Sequence, residues 1–292
     1  MLIQYVANGL STGFVIGLLA LSVVMIYRST QVLSFAQGAI ASLSTYVFYQ
    51  LSTIWEWPSF IALPVALTAG VAIGACADLV VMRPLRRTDP LTQTIATLGL
   101  VLVLQVVMRV GWQGETLVRP LSSGRLSIGR LSLGFQEIII AAVALAAAAL
   151  LAVWTRRSYR GLGLSAIAGD PVAARLLGVS PGRSSTLAWA IGGLLAALAG
   201  ILETPLLVLN PLQMTLIMVT AFGAALLGAF VSLPLALAGG LLIGVVQSVG
   251  TAYLNVSGAS ETLGFISVFA VLMFSRGRQG TASLLSRGGP AW

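Results

Sequence analysis

Apolar residues run in blocks along almost the whole chain, broken by short polar stretches that carry arginine. A helix needs about 20 apolar residues to cross the hydrocarbon layer. Blocks of that kind lie near 4–27, 34–54, 59–82, 92–112, 135–154, 185–203, 213–232, 235–255 and 260–275. The second block is polar and the last is short, so the pattern predicts eight or nine spans. The expected fold is all-α: a polytopic transmembrane helical bundle forming a single domain over residues 1–292. The interruption at 155–184 has its own signature. Asp170 fits an N-cap, Pro171 the first helical position and Gly178 the position just past the end, which predicts a short helix of about two turns.

Composition agrees with the pattern. Hydrophobic residues make up 58% of the chain and charged residues 8%, with a mean hydropathy of +0.98. Soluble domains carry about 25% charge. No polar segment is long enough for an added soluble domain, and no basic region precedes the first apolar run as a cleaved signal would require. All 16 basic residues are arginine, and there is no histidine. Most arginines flank spans, so the net charge of +8 reflects membrane topology better than nucleic-acid binding. Arg28, Arg83, Arg86 and Arg87, then Arg156, Arg157, Arg160, Arg175 and Arg183, and finally Arg276, Arg278 and Arg287 follow alternate spans. With nine spans this puts the N-terminus outside and the C-terminus in the cytoplasm, although Arg119, Arg125 and Arg130 then lie in an outside loop.

Small residues recur at four-residue spacing: Gly9, Gly13 and Gly17; Gly70 and Gly74; Gly240 and Gly244. Close backbone approach substitutes in lipid for the hydrophobic drive, so these predict packing within the chain, with homodimerisation as the alternative. The segments Ser34–Ala39 and Ala221–Ala225 are loosely alike, as inverted repeats often supply. The single cysteine, Cys76, reads as a small core residue and allows no disulfide within the chain.

The chemistry on offer is limited. Without lysine there is no phosphate-binding loop of the ATPase type. No metal-ligand cluster or histidine-activated nucleophile exists, so no cofactor, metal or catalytic residue is expected. The acids Glu56, Asp78, Glu137, Glu203 and Glu261 lie near span ends, which disfavours a carrier driven through a mid-membrane carboxylate. Asp78 is the deepest, and its expected partner is Arg83 or the surface. Polar uncharged residues inside spans are the better candidates for a solute path: Ser34, Gln37, Gln93, Thr94, Thr97, Gln105, Thr215, Thr220, Gln247 and Ser248. Any one of them can equally bond between helices.

Three segments together resemble the permease subunits of branched-chain amino acid ATP-binding-cassette importers, a family with urea and amide relatives. Val32-Leu33-Ser34-Phe35-Ala36-Gln37-Gly38 is similar to the family's Asn-Phe-Ala-His-Gly element. Met82 to Gln105 follows its arginine–proline–leucine turn and threonine–leucine–glycine span. The stretch from Arg160 through the capped segment to Gly244 completes the match in one order. The chain departs from the family at Ser34 and Gln37, at the turn Val231–Leu235 and at Ser275–Gly280, where turn glycines are missing.

The resemblance implies an inner-membrane permease subunit with no ATPase site of its own. Its partners would be two ATPase subunits, a second permease subunit, like or unlike, and an extracytoplasmic binding protein. The substrate would be a branched-chain or other small amino acid, with urea or a short amide as the alternative. It also implies that the cytoplasmic loop 155–184 carries an ATPase-coupling helix over Gly169, Asp170, Pro171, Ala173, Ala174, Leu176, Leu177 and Gly178. Ala173, Ala174, Leu176 and Leu177 would form the docking face. Ser34, Gln37, Gln93, Thr97 and Thr220 would line the path. A stand-alone facilitator or secondary carrier is the rival from another class.

Overall fold

The computed structural model describes residues 2–112, 125–128, 131–203, 213–254, 262–269 and 273. The chain folds as a helical bundle. Its elements are α1 (Leu2–Thr30), α2 (Ala36–Tyr49), α3 (Ser59–Cys76), α4 (Arg83–Leu85) and α5 (Pro90–Gly111), followed by β1 (Arg125–Ile128) and β2 (Leu131–Gly134). Then come α6 (Phe135–Arg157), α7 (Tyr159–Gly169), α8 (Pro171–Leu176), α9 (Pro181–Glu203), α10 (Gln213–Leu227) and α11 (Leu233–Leu254). Residues 262–269 are also helical. The small antiparallel hairpin β1–β2, which pairs Arg125 with Gly134 and Ile128 with Leu131, was not expected of an all-α chain.

Six helices among the described residues are long and apolar enough to cross a membrane. They begin at Gln4, Ser59, Pro90, Phe135, Pro181 and Leu233. The expected block 34–54 becomes α2 plus a π-helical segment, Gln50–Ile54, and is not one of the six. Its Ser42, Ser44 and Thr45 are buried among other helices, so it tolerates polarity that lipid would not. The apolar part of α10, Thr215–Leu227, is shorter than a span. Part of the ninth block, the C-terminal arginines, Ser275–Gly280, Glu115, Arg119, Arg130 and Glu261 lie outside the described residues.

Helix α1 is the axis. It is apolar all round, as a helix enclosed by others must be, and it packs against α11, α9, α10 and α6. Helix α5 is at the rim and is two-faced. Leu91, Ile95, Leu98, Leu102, Val106 and Val110 point outward, while Gln93, Thr97, Val101, Leu104 and Met108 point inward. Both stripes follow the helical repeat, with the polar positions on the protein side.

The glycine series holds the bundle together from inside. A Cβ on Gly13 would sit 2.7 Å from the Cα of Leu241 and 3.0 Å from the carbonyl oxygen of Gly240. One on Gly240 would meet the Cα of Gly17 at 2.5 Å. The second crossing joins α3 to α9, where a Cβ on Gly70 would lie 2.8 Å from the carbonyl oxygen of Gly193. These faces are occupied within one chain, so they are not free to pair two copies. Cys76, by contrast, is exposed. It stands on the outward face of α3 and is not the core residue that its apolar surroundings implied.

The turn between α10 and α11 also differs from expectation. The left-handed positions are Ala229 (φ 49°) and Phe230 (φ 56°), not the residues that replace the family's glycines at 231 and 235. Phe230 is held by its ring contact with Tyr27, 4.9 Å between centroids. Losing glycine at 231 and 235 therefore costs no left-handed freedom here.

Gly240→Leu or Gly13→Leu should force α1 and α11 apart. The loss expected is at least the roughly 1–3 kcal/mol of an overpacked core, read as SDS-titration unfolding of the detergent-solubilised chain. Gly99→Ala, where a Cβ meets nothing within 4 Å, should leave stability unchanged or raise it.

Candidate functional site

The segment 155–184 is not a loop holding one helix but two consecutive helices. Ser158 caps α7 by accepting a hydrogen bond from the Gly161 amide at 3.0 Å. Leu164 and Ile167 of α7 are buried beneath it. Asp170 then caps α8, accepting from the amides of Val172 at 2.8 Å and Ala173 at 3.1 Å. Pro171 occupies the first turn, where its missing N–H costs nothing.

The end of α8 is equally well defined. Gly178 has φ 83°, its amide reaches the carbonyl of Arg175 (3.0 Å), and the Val179 amide reaches that of Ala174 (3.0 Å). That pair of bonds is the Schellman closure, which needs a left-handed residue at the glycine position.

The faces of α8 differ from the expected docking surface at one residue. Ala174 is only 1% exposed and faces the chain, so it cannot meet a partner. Leu176 and Leu177 are 86% and 76% exposed, Ala173 is exposed, and Val172, not anticipated, is exposed beside them. In a helix this short, one side must pack for the other to be held out.

Beside this segment lies a polar cluster built around Asp78, which is fully buried. It sits in the π-helical segment Ala77–Met82 that continues α3. Arg86 Nη2 lies 2.7 Å from one carboxylate oxygen and 3.0 Å from the other, and also donates to the carbonyl of Gly182 at 3.2 Å. Ser185 Oγ donates to Asp78 at 2.6 Å and Thr186 Oγ1 at 2.5 Å. The partner of Asp78 is therefore Arg86, not Arg83, and the carboxylate does not reach the surface. A buried carboxylate is tolerable only when its lone pairs are filled in this way. The cluster fastens the end of α3 and the turn after it to the first turn of α9, just past α8.

The expected path residues come together in part. Thr97 Oγ1 accepts from the Phe35 amide at 3.2 Å, fixing the segment before α2 against α5. The rings of Phe35 and Phe222 approach to 4.5 Å, which brings in α10 and the neighbourhood of Thr220. Gln37 is 0% exposed and Ser34 is buried. Ser34 Oγ and both amide atoms of Gln37 have no hydrogen-bond partner among the described residues. Gln93 is spent locally, donating to the Thr88 carbonyl at 3.0 Å, and Thr220 Oγ1 returns its proton to the Ile217 carbonyl at 2.7 Å. Gln105 instead reaches Thr215 across helices (3.3 Å), and Ser248 reaches the Tyr5 carbonyl (2.6 Å). Glu203, at the end of α9, is also buried, and its Oε2 has no partner among the described residues.

Comparisons with known proteins fit this architecture. The family model described as branched-chain amino acid transport system / permease component matches residues 5–275. The high-affinity branched-chain amino acid transport system permease protein LivH of Salmonella typhimurium is 28% identical, over 93% of this chain and 92% of that one. The permease protein BraD of Pseudomonas aeruginosa is 29% identical over 85% and 86% of the two chains. A probable LivH of Methanocaldococcus jannaschii is 28% identical over 81% and 77%. Among solved structures, PsaBC from Streptococcus pneumoniae in complex with Fab superposes with a TM-score of 0.51 at 15% identity, covering 93% of this chain and 91% of that one. At that identity the likeness speaks for the helical fold alone.

Asp78→Asn should destabilise the chain by about 3 kcal/mol, because it strands Arg86 and leaves two hydroxyl donors a weaker acceptor. Replacing Asp78 and Arg86 together by leucine should recover much of that loss. SDS-titration unfolding of the purified variants measures both.

Proposed function

We propose that this chain, which belongs to the branched-chain amino acid transport permease family, is the membrane subunit of an ATP-driven importer. It is a multi-pass inner-membrane protein, and its relatives bear the names of transport permeases, not of enzymes. In this reading two separate ATPase subunits supply the energy and an extracytoplasmic binding protein delivers the solute. A second permease subunit completes the pore. The cargo is a branched-chain or other small amino acid, and the nearest alternative within the same chemistry is urea or a short amide.

The observation that carries the reading is α8. It is a six-residue helix closed at both ends, buried on the Ala174 side, and presenting Val172, Leu176 and Leu177 to solvent. An apolar face held out at the polar end of a membrane bundle favours docking of a helix into a groove. The Asp78–Arg86 cluster then offers the lever, because it joins the segment leaving α8 to α3. Arg28 bonds Ser165 of α7 at 2.8 Å, so the axis helix α1 is tied to the same region.

The same contacts support an orientation. Arg28, Arg86 and Arg156 gather at the α7–α8 end, while the Trp112–Gln50 bond (2.8 Å) and Arg109 belong to the opposite end. We assign the arginine-rich end to the cytoplasm, with eight or nine spans, the N-terminus outside and the C-terminus inside. Ser34 and Gln37 are the strongest path residues, since an unpaired buried amide costs about 1–3 kcal/mol until water or a solute fills it. Thr97 and Thr220 shape their surroundings, and Gln93 is the weakest of the set.

A secondary carrier remains the competing reading, and buried Glu203 is the observation in its favour. Flux into proteoliposomes separates the two. The importer reading expects accumulation only with ATPase subunits, binding protein and ATP present. Accumulation by this chain alone would contradict it. Exchanging Asp170 for alanine and Leu177 for aspartate should weaken ATPase co-purification by at least roughly tenfold, since a cap and an apolar anchor are lost together. Unchanged co-purification and transport would remove α8 as the contact.

A further inference from the structure

A second polar feature lies at the arginine-rich end, apart from both the presumed path and the exposed face of α8. A cleft of about 160 Å³ opens where α1, α6, α7 and the α10–α11 turn meet. Its lining includes Arg28, Thr155, Arg156, Ser165, Ser232 and Pro234. Among the described residues no acidic side chain lines it, and the ion pair of Arg86 with Asp78 lies elsewhere. Arg28 spends one nitrogen on Ser165 Oγ, while its Nε is buried with no partner among the described residues. Arg156 is exposed at the last turn of α6. The start of α11, with Ser232 and Leu233, brings the positive end of a helix dipole to the same wall.

Two cations without a carboxylate and a helix start bearing Ser232 make a site for a phosphate-bearing anion, while the Thr155 and Ser165 hydroxyls donate to the Ala152 and Gly161 carbonyls. The volume is below the roughly 300 Å³ at which pockets for small organic ligands begin, and suits a headgroup better than a whole metabolite. The surroundings say what the headgroup would be attached to. Val153 and Leu150 continue from Arg156 along the outer face of α6, and Leu235 follows Pro234 on α11; all three are exposed and apolar. Helices α6 and α11 touch one another, so these side chains flank a shared seam. We propose that this cleft holds the phosphate of an anionic phospholipid, with its acyl chains along the α6–α11 seam. Basic pockets between transmembrane helices recognise headgroups by this chemistry. The inference needs only that the chain spans a membrane, and stands whether or not it imports an amino acid.

The consequence is mechanical. A lipid bridging Arg28 and Arg156 would brace α1 against α6 beside α7, the helix that leads into α8. The test uses the full chain in nanodiscs of phosphatidylcholine, either pure or doped with phosphatidylglycerol, with native mass spectrometry counting retained lipid. The wild type should retain phosphatidylglycerol in preference to phosphatidylcholine. Arg156→Gln, at a residue that is exposed, should cut that preference roughly fivefold, and Arg28→Gln should do likewise. Arg109→Gln, at the opposite end, should change nothing. Equal retention in wild type and Arg156→Gln would overturn the proposal. So would stabilisation by inorganic phosphate in pure phosphatidylcholine that matches the effect of phosphatidylglycerol, since the cleft would then be a free-phosphate site.

Discussion

Asp78 is a full negative charge taken out of water, and the geometry of one end of the bundle follows from what its burial demands. In a medium of low dielectric it needs a cation and further donors at short range. Arg86 supplies the charge and Ser185 and Thr186 supply the donors. These partners lie on either side of the α7–α8 segment in sequence. Satisfying one carboxylate therefore fixes the end of α3 and the start of α9 against each other, and so sets the anchor from which α8 projects. The π-helical turn around Asp78 fits this role, as such insertions re-aim a side chain where function needs it.

The rest of the bundle rests on a different solution to the same solvent problem. Lipid gives helices no hydrophobic reason to associate, so contact must come from backbone proximity and polar bonds. The Gly13–Gly240 and Gly70–Gly193 crossings provide the first. Ser248 to Tyr5 and Trp112 to Gln50 provide the second. Some buried polar atoms have no partner among the described residues: Ser34 Oγ and both amide atoms of Gln37 are among them, as are Ser42 Oγ, Trp189 Nε1 and Glu203 Oε2.

Much of this was legible in the sequence, for reasons that are local. Apolar block length located the long helices, and Asp170, Pro171 and Gly178 marked the ends of α8 because capping is decided by neighbouring residues. What depended on direction was not legible. In lipid both faces of a helix are apolar, so hydropathy could not say that Cys76 points outward; and in a six-residue helix of mostly small and apolar residues it could not say that Ala174 points in. The partner of Asp78 was misread because Ser185 and Thr186 are over a hundred residues away. Arg83, the nearest arginine in sequence, lost to Arg86. A signal existed in the Ser184-Ser185-Thr186 run at the start of a span, where three hydroxyls ask for an acceptor. Helix α7 was missed because its glycines, Gly161, Gly163 and Gly169, read as loop, whereas packing of Leu164 and Ile167 makes it a helix.

In the proposed importer, force would reach the bundle through the Asp78 cluster. The direct measurement is the amount of solute moved per ATP hydrolysed by the reconstituted importer carrying Asp78→Asn, in a preparation first shown to contain every subunit. The account predicts that hydrolysis continues while this ratio falls by about tenfold or more, because α8 still meets the ATPase but no longer pulls α3 with it. A ratio equal to the wild type's in the fully assembled variant would contradict it.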